Sequence, residues 1–235
     1  INALLKSAQE FAEGKTVKAV DEIYVSNLFF EDSTRTKTSF DLAQRKLGLH
    51  VVSFDVTASS VNKGESLYDT VKTFESLGVN LTVIRHKQDK YYEELKNISI
   101  PVINGGDGSG NHPSQTLLDL MTIQQEFGKF KGLKIGIVGD VKHSRVANSN
   151  AEALRKLGAK VYFSGPEKWF DEGTIINGTY LSIDDLVTEV DVVMLLRIQH
   201  ERHGEKMKIS LESYHRKFGL TKEREKMMKR GAIIM

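Results

Sequence analysis

With 235 residues, 40% hydrophobic and 27% charged, the chain can form one large α/β domain or two of roughly 100 residues each. A formal net charge of +2 excludes bulk attraction to nucleic acid or to a membrane surface, so any bound anion must be held by local arrangement. The absence of cysteine excludes disulfides, thiolate nucleophiles and Cys-based metal sites, and no apolar run approaches the roughly 18 residues of a membrane span.

The N-terminus lacks the pattern of a signal peptide, and a soluble, cytoplasmic protein is expected. In chain order, "IYVSNLFF" (23–30) predicts a strand and "RTKTSFDLAQRKLG" (35–48) a helix closed by Gly48. "HVVSFDV" (50–56) predicts the next strand, followed by the polar loop "TASSVNKG" and a helix over 65–78 that again ends in glycine. Strands are predicted at 79–86 and 100–104, separated by "KYYEELKN", and a helix over 114–128 is long enough to join two domains.

A second series begins at "LKIGIVGD" (133–140), a strand, with a helix over 145–158 and a strand over 159–165. A short helix (182–190), a strand (191–198), a charged helix (221–231) and the apolar "AIIM" complete it. Strand–helix alternation of this kind predicts an α/β protein: two doubly wound parallel-sheet domains joined by a helix. The break near Phe127–Gly132 sets the domains at 1–128 and 129–235. The opening Ile1 and the closing "GAIIM", a strand without its continuation, predict a fragment whose C-terminal part is missing.

Ligands of open parallel sheets sit outside the carboxyl ends of the strands, so polar clusters at those ends carry weight. "EDSTRTK" follows the first strand and opens a helix. Unpaired N–H groups there favour an anion, with hydroxyls from Ser33, Thr34 and Thr36 and a planar fork from Arg35. The other reading is a plain helix cap by Asp32 or Ser33, with Arg35 solvated. Ser59 and Lys63 follow the second strand, as a candidate hydroxyl and mobile cation or as an ordinary surface loop. Arg85 and His86 end the third.

"NGGDGSGNHPSQTLLDL" holds four glycines (105, 106, 108, 110) that permit close backbone approach, then His112 and Gln115 around a helix start. An imidazole and an amide there suit a developing oxyanion; the alternative is a Gly-rich turn with a surface histidine. In "GIVGDVKHSRVANS" the G-x-G-x-x-G spacing fails, because Val141 stands where a close-approach glycine is needed. Arg145 reads instead as a cation at a helix N-terminus. Arg197 and Gln199 alternate on one side of an extended segment, and Glu201 and Arg202 follow. No metal-ligand spacing, carboxylate pair or Ser–His–acid triad stands out, so neither a metal nor a cofactor is expected. The clusters supply donors and cations: they predict a phosphate-like ligand in the first domain and a carboxylate-bearing one in the second.

In this order, "STRTK", "SSVNKGESLYDT", "VIRH", "GDGSGNHPSQTLLDL", "GDVKHSRVANS" and "LLRIQHER" resemble the aspartate carbamoyltransferase family, catalytic chain, over essentially the whole length. The resemblance implies transfer of a carbamoyl group from carbamoyl phosphate to L-aspartate, a step of pyrimidine biosynthesis, without a cofactor. It assigns Ser33, Thr34, Arg35 and Thr36 to the phosphate, and Arg85, His112 and Thr36 to the carbamoyl carbonyl. Gln115 falls near the carbamoyl nitrogen, and Arg145, Arg197 and Gln199 on the aspartate. Ser59 and Lys63 match loop residues that reach a neighbouring subunit's site, which implies a homotrimer. Glu31, Arg145, Glu201 and Arg202 resemble groups that hold the domains closed.

Two departures stand out. Lys37 replaces a second arginine of the cradle, a point charge for a fork. The family also continues past its last strand with an HP-x-P loop and returning helices. Ornithine carbamoyltransferase shares the cradle, but it takes a cationic substrate that Arg145, Arg197 and Lys63 would repel. A non-catalytic subunit that keeps the pocket as scaffold is the rival of another class.

Overall fold

A computed structural model describes residues 1–170, 173, 176–198 and 210–235. The chain folds as two compact units, Ile1–Leu117 and Leu118–Met235.

In the first unit, helix α1 (Asn2–Ala12) precedes strand β1 (Tyr24–Phe29), helix α2 (Thr34–Lys46) and strand β2 (His50–Val52). Helix α3 (Leu67–Ser76), strand β3 (Leu81–His86), strand β4 (Val102–Asp107) and helix α4 (Pro113–Phe127) follow, α4 running on into the second unit. The sheet order is β2-β1-β3-β4, and every pairing is parallel. The chain moves from β1 to β2 on one side, then crosses back to β3 on the other. The switch point of this sheet therefore lies between β1 and β3.

Its central strand explains why it is central. Val25, Ser26, Asn27, Leu28 and Phe29 are all buried, as a parallel strand covered on both faces requires. Leu28 and Ile84 pack with Leu67 and Val71 of α3 and with Tyr91 and Leu95. The polar members are paired: Ser26 Oγ donates to Thr82 Oγ1 at 2.9 Å across the strands. Asn27 and Gln44 bond reciprocally, Nδ2 to Oε1 at 2.7 Å and Nε2 to Oδ1 at 3.0 Å. Gln44 is the buried residue of α2, so this amide pair, more than apolar contact, seats the helix on β1. Gly48 closes α2 with φ 78°, a left-handed conformation that glycine adopts without strain.

In the second unit, β5 (Lys134–Val138), helix α5 (Arg145–Lys156), β6 (Lys160–Ser164), β7 (Thr179–Tyr180), β8 (Val192–Leu195) and β9 (Ile233–Ile234) build a parallel sheet of order β7-β6-β5-β8-β9. Its switch point falls between β5 and β8. The helix Ile183–Glu189 lays Ile183, Leu186 and Val187 on Val138 and Val193.

Gly136, in mid-strand, has a packing cause rather than a ligand. A Cβ there would lie 2.5 Å from Leu186 Cδ2 and 3.0 Å from its Cγ, in a buried position. Gly136→Ala should therefore lower unfolding free energy by about 1–3 kcal/mol through overpacking. Chemical denaturation measures this; an unchanged midpoint would mean that Leu186 yields freely.

Candidate active site

At the first switch point, the end of β1 and the end of β3 are tied together. Phe29 stands opposite Arg85 in the ladder, and the Phe30 N–H donates to the Arg85 carbonyl at 2.9 Å. The chain leaving β1 is thus held against Arg85 until it enters α2. The Arg85 guanidinium uses this proximity twice: Nε bonds Glu31 Oε2 at 3.2 Å, and Nη1 bonds Ser33 Oγ at 3.2 Å. Side-chain exposures of 15% for Arg85 and 22% for Glu31 make this a half-buried pair, less screened than a surface one.

Ser33 is the N-cap residue of α2, yet its side chain makes no cap bond. Ser66, Ser144, Ser182, Ser210 and Thr221, the N-caps of other helices, each accept from an N–H of their own first turn. Ser33 instead turns its hydroxyl to Arg85. Of the two readings of "EDSTRTK", the helix cap fails at Ser33. The first-turn amides of α2 stay available to an anion, where the partial positive charge of the helix adds attraction. Thr34 and Arg35 are exposed beside this end, and Thr36 is partly covered.

His86 lies behind the site. Its ring packs on Phe30 and Tyr91, and its Nδ1 accepts from the Gln88 N–H at 3.1 Å. Burial lowers its pKa and keeps the ring in the neutral form that this bond needs.

β4 ends in the glycine-rich loop and delivers His112 to the start of α4. His112 is buried, with Nδ1 3.3 Å from Ser114 Oγ, and its carbonyl accepts from the Thr116 N–H at 3.1 Å. Gln115 follows on the same first turn, half-buried. Two of the loop glycines are closely surrounded by the chain itself. A Cβ on Gly110 would sit 2.5 Å from Asp107 Oδ2, and one on Gly108 would meet the Asp89 backbone N at 2.9 Å. These two glycines fit the loop around Asp107 and Asp89. Ser59 lies between the short turns Val56–Ala58 and Ser60–Lys63, where its hydroxyl donates to the Val56 carbonyl at 2.8 Å, and Lys63 is exposed.

The second switch point carries the other arginines. Beyond β5, Gly139 adopts φ 127°, and a Cβ on Gly165 would lie 2.6 Å from the Gly139 carbonyl oxygen, so the two backbones touch closely. Ser144 caps α5 through the Ala147 N–H, and Arg145 is the first helical residue, 5% exposed. The partial positive charge of a helix N-terminus disfavours a cation at this position. Arg197 leaves the end of β8, exposed, one residue beyond the Leu196 N–H bond to the Val138 carbonyl at 2.9 Å. Arg145 and Arg197 thus follow the two strands that flank the switch. Gln199, Glu201 and Arg202 lie outside the described residues.

Sequence reasoning missed two groups here. Asp140 is fully buried and bonds His143 Nδ1 at 2.7 Å. Tyr214, on the helix Leu211–Phe218, packs at a tilt against Trp169, and burial with Asp140 nearby pushes its phenol up to about 12. That helix had a legible signature, Ser210 before it and Gly219 after it. Among the described residues, no group of three or more His, Cys, Asp or Glu is placed to hold a metal ion. None of the described helices is long and apolar enough to cross a membrane.

Parallel sheets with cations and amide donors gathered at their switch points define an α/β protein of the class that binds small anions at strand ends. The model of the aspartate/ornithine carbamoyltransferase carbamoyl-P binding domain matches residues 1–125, and that of the Asp/Orn binding domain matches residues 131–235. The chain belongs to the aspartate/ornithine carbamoyltransferase family. Among solved structures it is similar to aspartate transcarbamoylase from Trypanosoma cruzi in complex with carbamoyl phosphate and aspartate. The identity is 31% and the TM-score 0.85, with 99% of this chain and 78% of that one covered. The same enzyme with N-(phosphonacetyl)-L-aspartic acid matches at 30% identity and TM-score 0.82, over 99% of this chain and 76% of that one. Its ligand-free form matches at 27% and 0.77, over 99% and 76%.

Proposed function

We propose that the chain transfers the carbamoyl group of carbamoyl phosphate to the α-amine of L-aspartate, releasing phosphate and serving pyrimidine biosynthesis in the cytoplasm. The observation that carries the reading is Ser33: a helix-capping serine turned away from its helix and onto Arg85 at the first switch point. The solved relatives hold carbamoyl phosphate, aspartate and a bisubstrate analogue, which supports the same pair of ligands here.

In this reading the first domain, 1–128, holds carbamoyl phosphate. Ser33, Thr34, Arg35 and Thr36 take the phosphate with the α2 amides; Arg85, His112 and Thr36 face the carbamoyl oxygen, and Gln115 its nitrogen. The second domain, 129–235, binds aspartate through Arg145, Arg197 and Gln199. The uncharged amine attacks the carbonyl carbon, a C–N bond forms, and negative charge grows on the oxygen. The bond from that carbon to the bridging phosphate oxygen then breaks, and the leaving phosphate takes the amine proton. No protein base is needed, and the rate comes from orientation and charge stabilisation. Two guanidinium groups at the second switch point favour a dicarboxylate over a cationic amino acid. Phosphate release with L-aspartate but not with L-ornithine is the expected result; release with ornithine alone would overturn the assignment.

Ser59 and Lys63 serve a neighbouring copy in a homotrimer. Lys63→Ala and His112→Ala chains should each be nearly inactive alone. Co-refolded, they should regain activity, since some shared sites then combine an intact Lys63 with an intact His112. A mixture as inactive as its parts would place Lys63 in its own subunit's site or in none.

A further inference from the structure

We propose that Asp107, to which the reading above gives no role, is the positioning residue that aims His112. The proposal rests on that reading for what His112 does. Asp107 ends β4 and is fully buried. Its carboxylate accepts three hydrogen bonds: Oδ2 from the Lys90 N–H at 2.9 Å, and Oδ1 from Asn104 Nδ2 at 2.6 Å and from the Asn111 N–H at 3.0 Å.

Its main chain closes the same loop. The Asp107 N–H donates to the Asn111 carbonyl at 3.0 Å, its own carbonyl accepts from the Gly110 N–H at 2.9 Å, and the two residues form an isolated antiparallel bridge. His112 is the next residue. Beyond it, the first turn of α4 takes over through the Thr116 N–H. The backbone of His112 is therefore fixed from both directions, and on the loop side by one carboxylate.

The surrounding chain is shaped to keep that carboxylate in place. Gly110 leaves room for Oδ2, and Lys90, though not a glycine, is held at positive φ, 53°, with its N–H on Asp107. Hydrogen bonds to an ionised acceptor are about twice as strong as neutral ones, and a left-handed lysine persists only where its surroundings hold it. A catalytic group misplaced by about 1 Å loses on the order of 10² in rate, so the precision given to His112 has a kinetic consequence.

Asp107→Asn keeps the size and sets an NH2 donor among N–H donors. It should lower kcat by about 10–100-fold with KM for carbamoyl phosphate nearly unchanged. In the His112→Ala background the same change should cost almost nothing further. The His112 ring signal in proton–nitrogen NMR, assigned by its loss in His112→Ala, should shift or split in Asp107→Asn. Should that variant fail to fold, Asn104→Ala removes one of the three donors and should give a smaller loss with the same dependence on His112. Equal losses in both backgrounds, or a ring signal that stays put, would overturn the proposal. A wild-type chain that releases no phosphate with either amino acid would refute the carbamoyl-transfer reading, and the ring signal would still decide the role of Asp107.

Discussion

Replacing Arg85 by alanine is expected to lower kcat/KM for carbamoyl phosphate by about 10³–10⁴, more than the loss of one donor explains. An oxyanion donor alone accounts for about 2.7–4 kcal/mol. The remainder comes from Glu31, which Arg85 now neutralises at 3.2 Å. Stripped of its partner, that half-buried carboxylate would face an incoming phosphate, and like charges about 8 Å apart at an effective dielectric of about 20 repel by roughly 2 kcal/mol. The structure also says how to separate the two parts. Glu31→Gln in the Arg85→Ala chain removes the repulsion and should recover roughly tenfold or more of the loss. A double variant no better than Arg85→Ala would show that Glu31 does not act on the anion. Arg85→Lys should fall between, because an ammonium cannot span Glu31 and Ser33 as the guanidinium fork does.

His112→Ala is expected to lower kcat by about 10²–10³ while leaving carbamoyl phosphate affinity close to the wild-type value. The reason is that charge appears on the carbamoyl oxygen only as the amine attacks, so a donor aimed there acts on the transition state and hardly on the bound substrate. A hydroxyl donating from Ser114 to Nδ1 would put the ring proton on Nε2. Steady-state kinetics with a direct measurement of carbamoyl phosphate binding tests this. Equal falls in kcat and in affinity would make His112 a binding group instead.

Most strands and helices were legible because their apolar periods and glycine stops are local: β1, α2 and α5 lie within a few residues of the expected spans. Three short or terminal elements, α1, β7 and the helix Leu211–Phe218, were not expected, and β2 is shorter than its expected span. What sequence could not supply was strand order. Only the parallel pairing of β1 with both β2 and β3, and of β5 with both β6 and β8, turns strand ends into switch points and places Arg85, Arg145 and Arg197 beside them. The choice at Ser33 between cap and cradle was equally out of reach, since it depends on a guanidinium 52 residues away. Gly108, Gly110 and Gly136 carried a true signal of crowding, but nothing local tells a crowding side chain from a crowding ligand. Asp107 went unread for the same reason: its partners lie 17 residues back, at Lys90, as well as close by.

The amide pair that joins Asn27 to Gln44 has a further meaning for how the anion end of α2 is aimed. Two bonds running in opposite senses tolerate neither a roll of the helix about its axis nor a slide along the sheet, because either motion breaks both. Hydrocarbon at the same spot would grip with comparable strength but without a preferred heading. The amides therefore act as a compass bearing for the helix, and sequence drift that swapped them for leucines would blur substrate capture well before it loosened the fold.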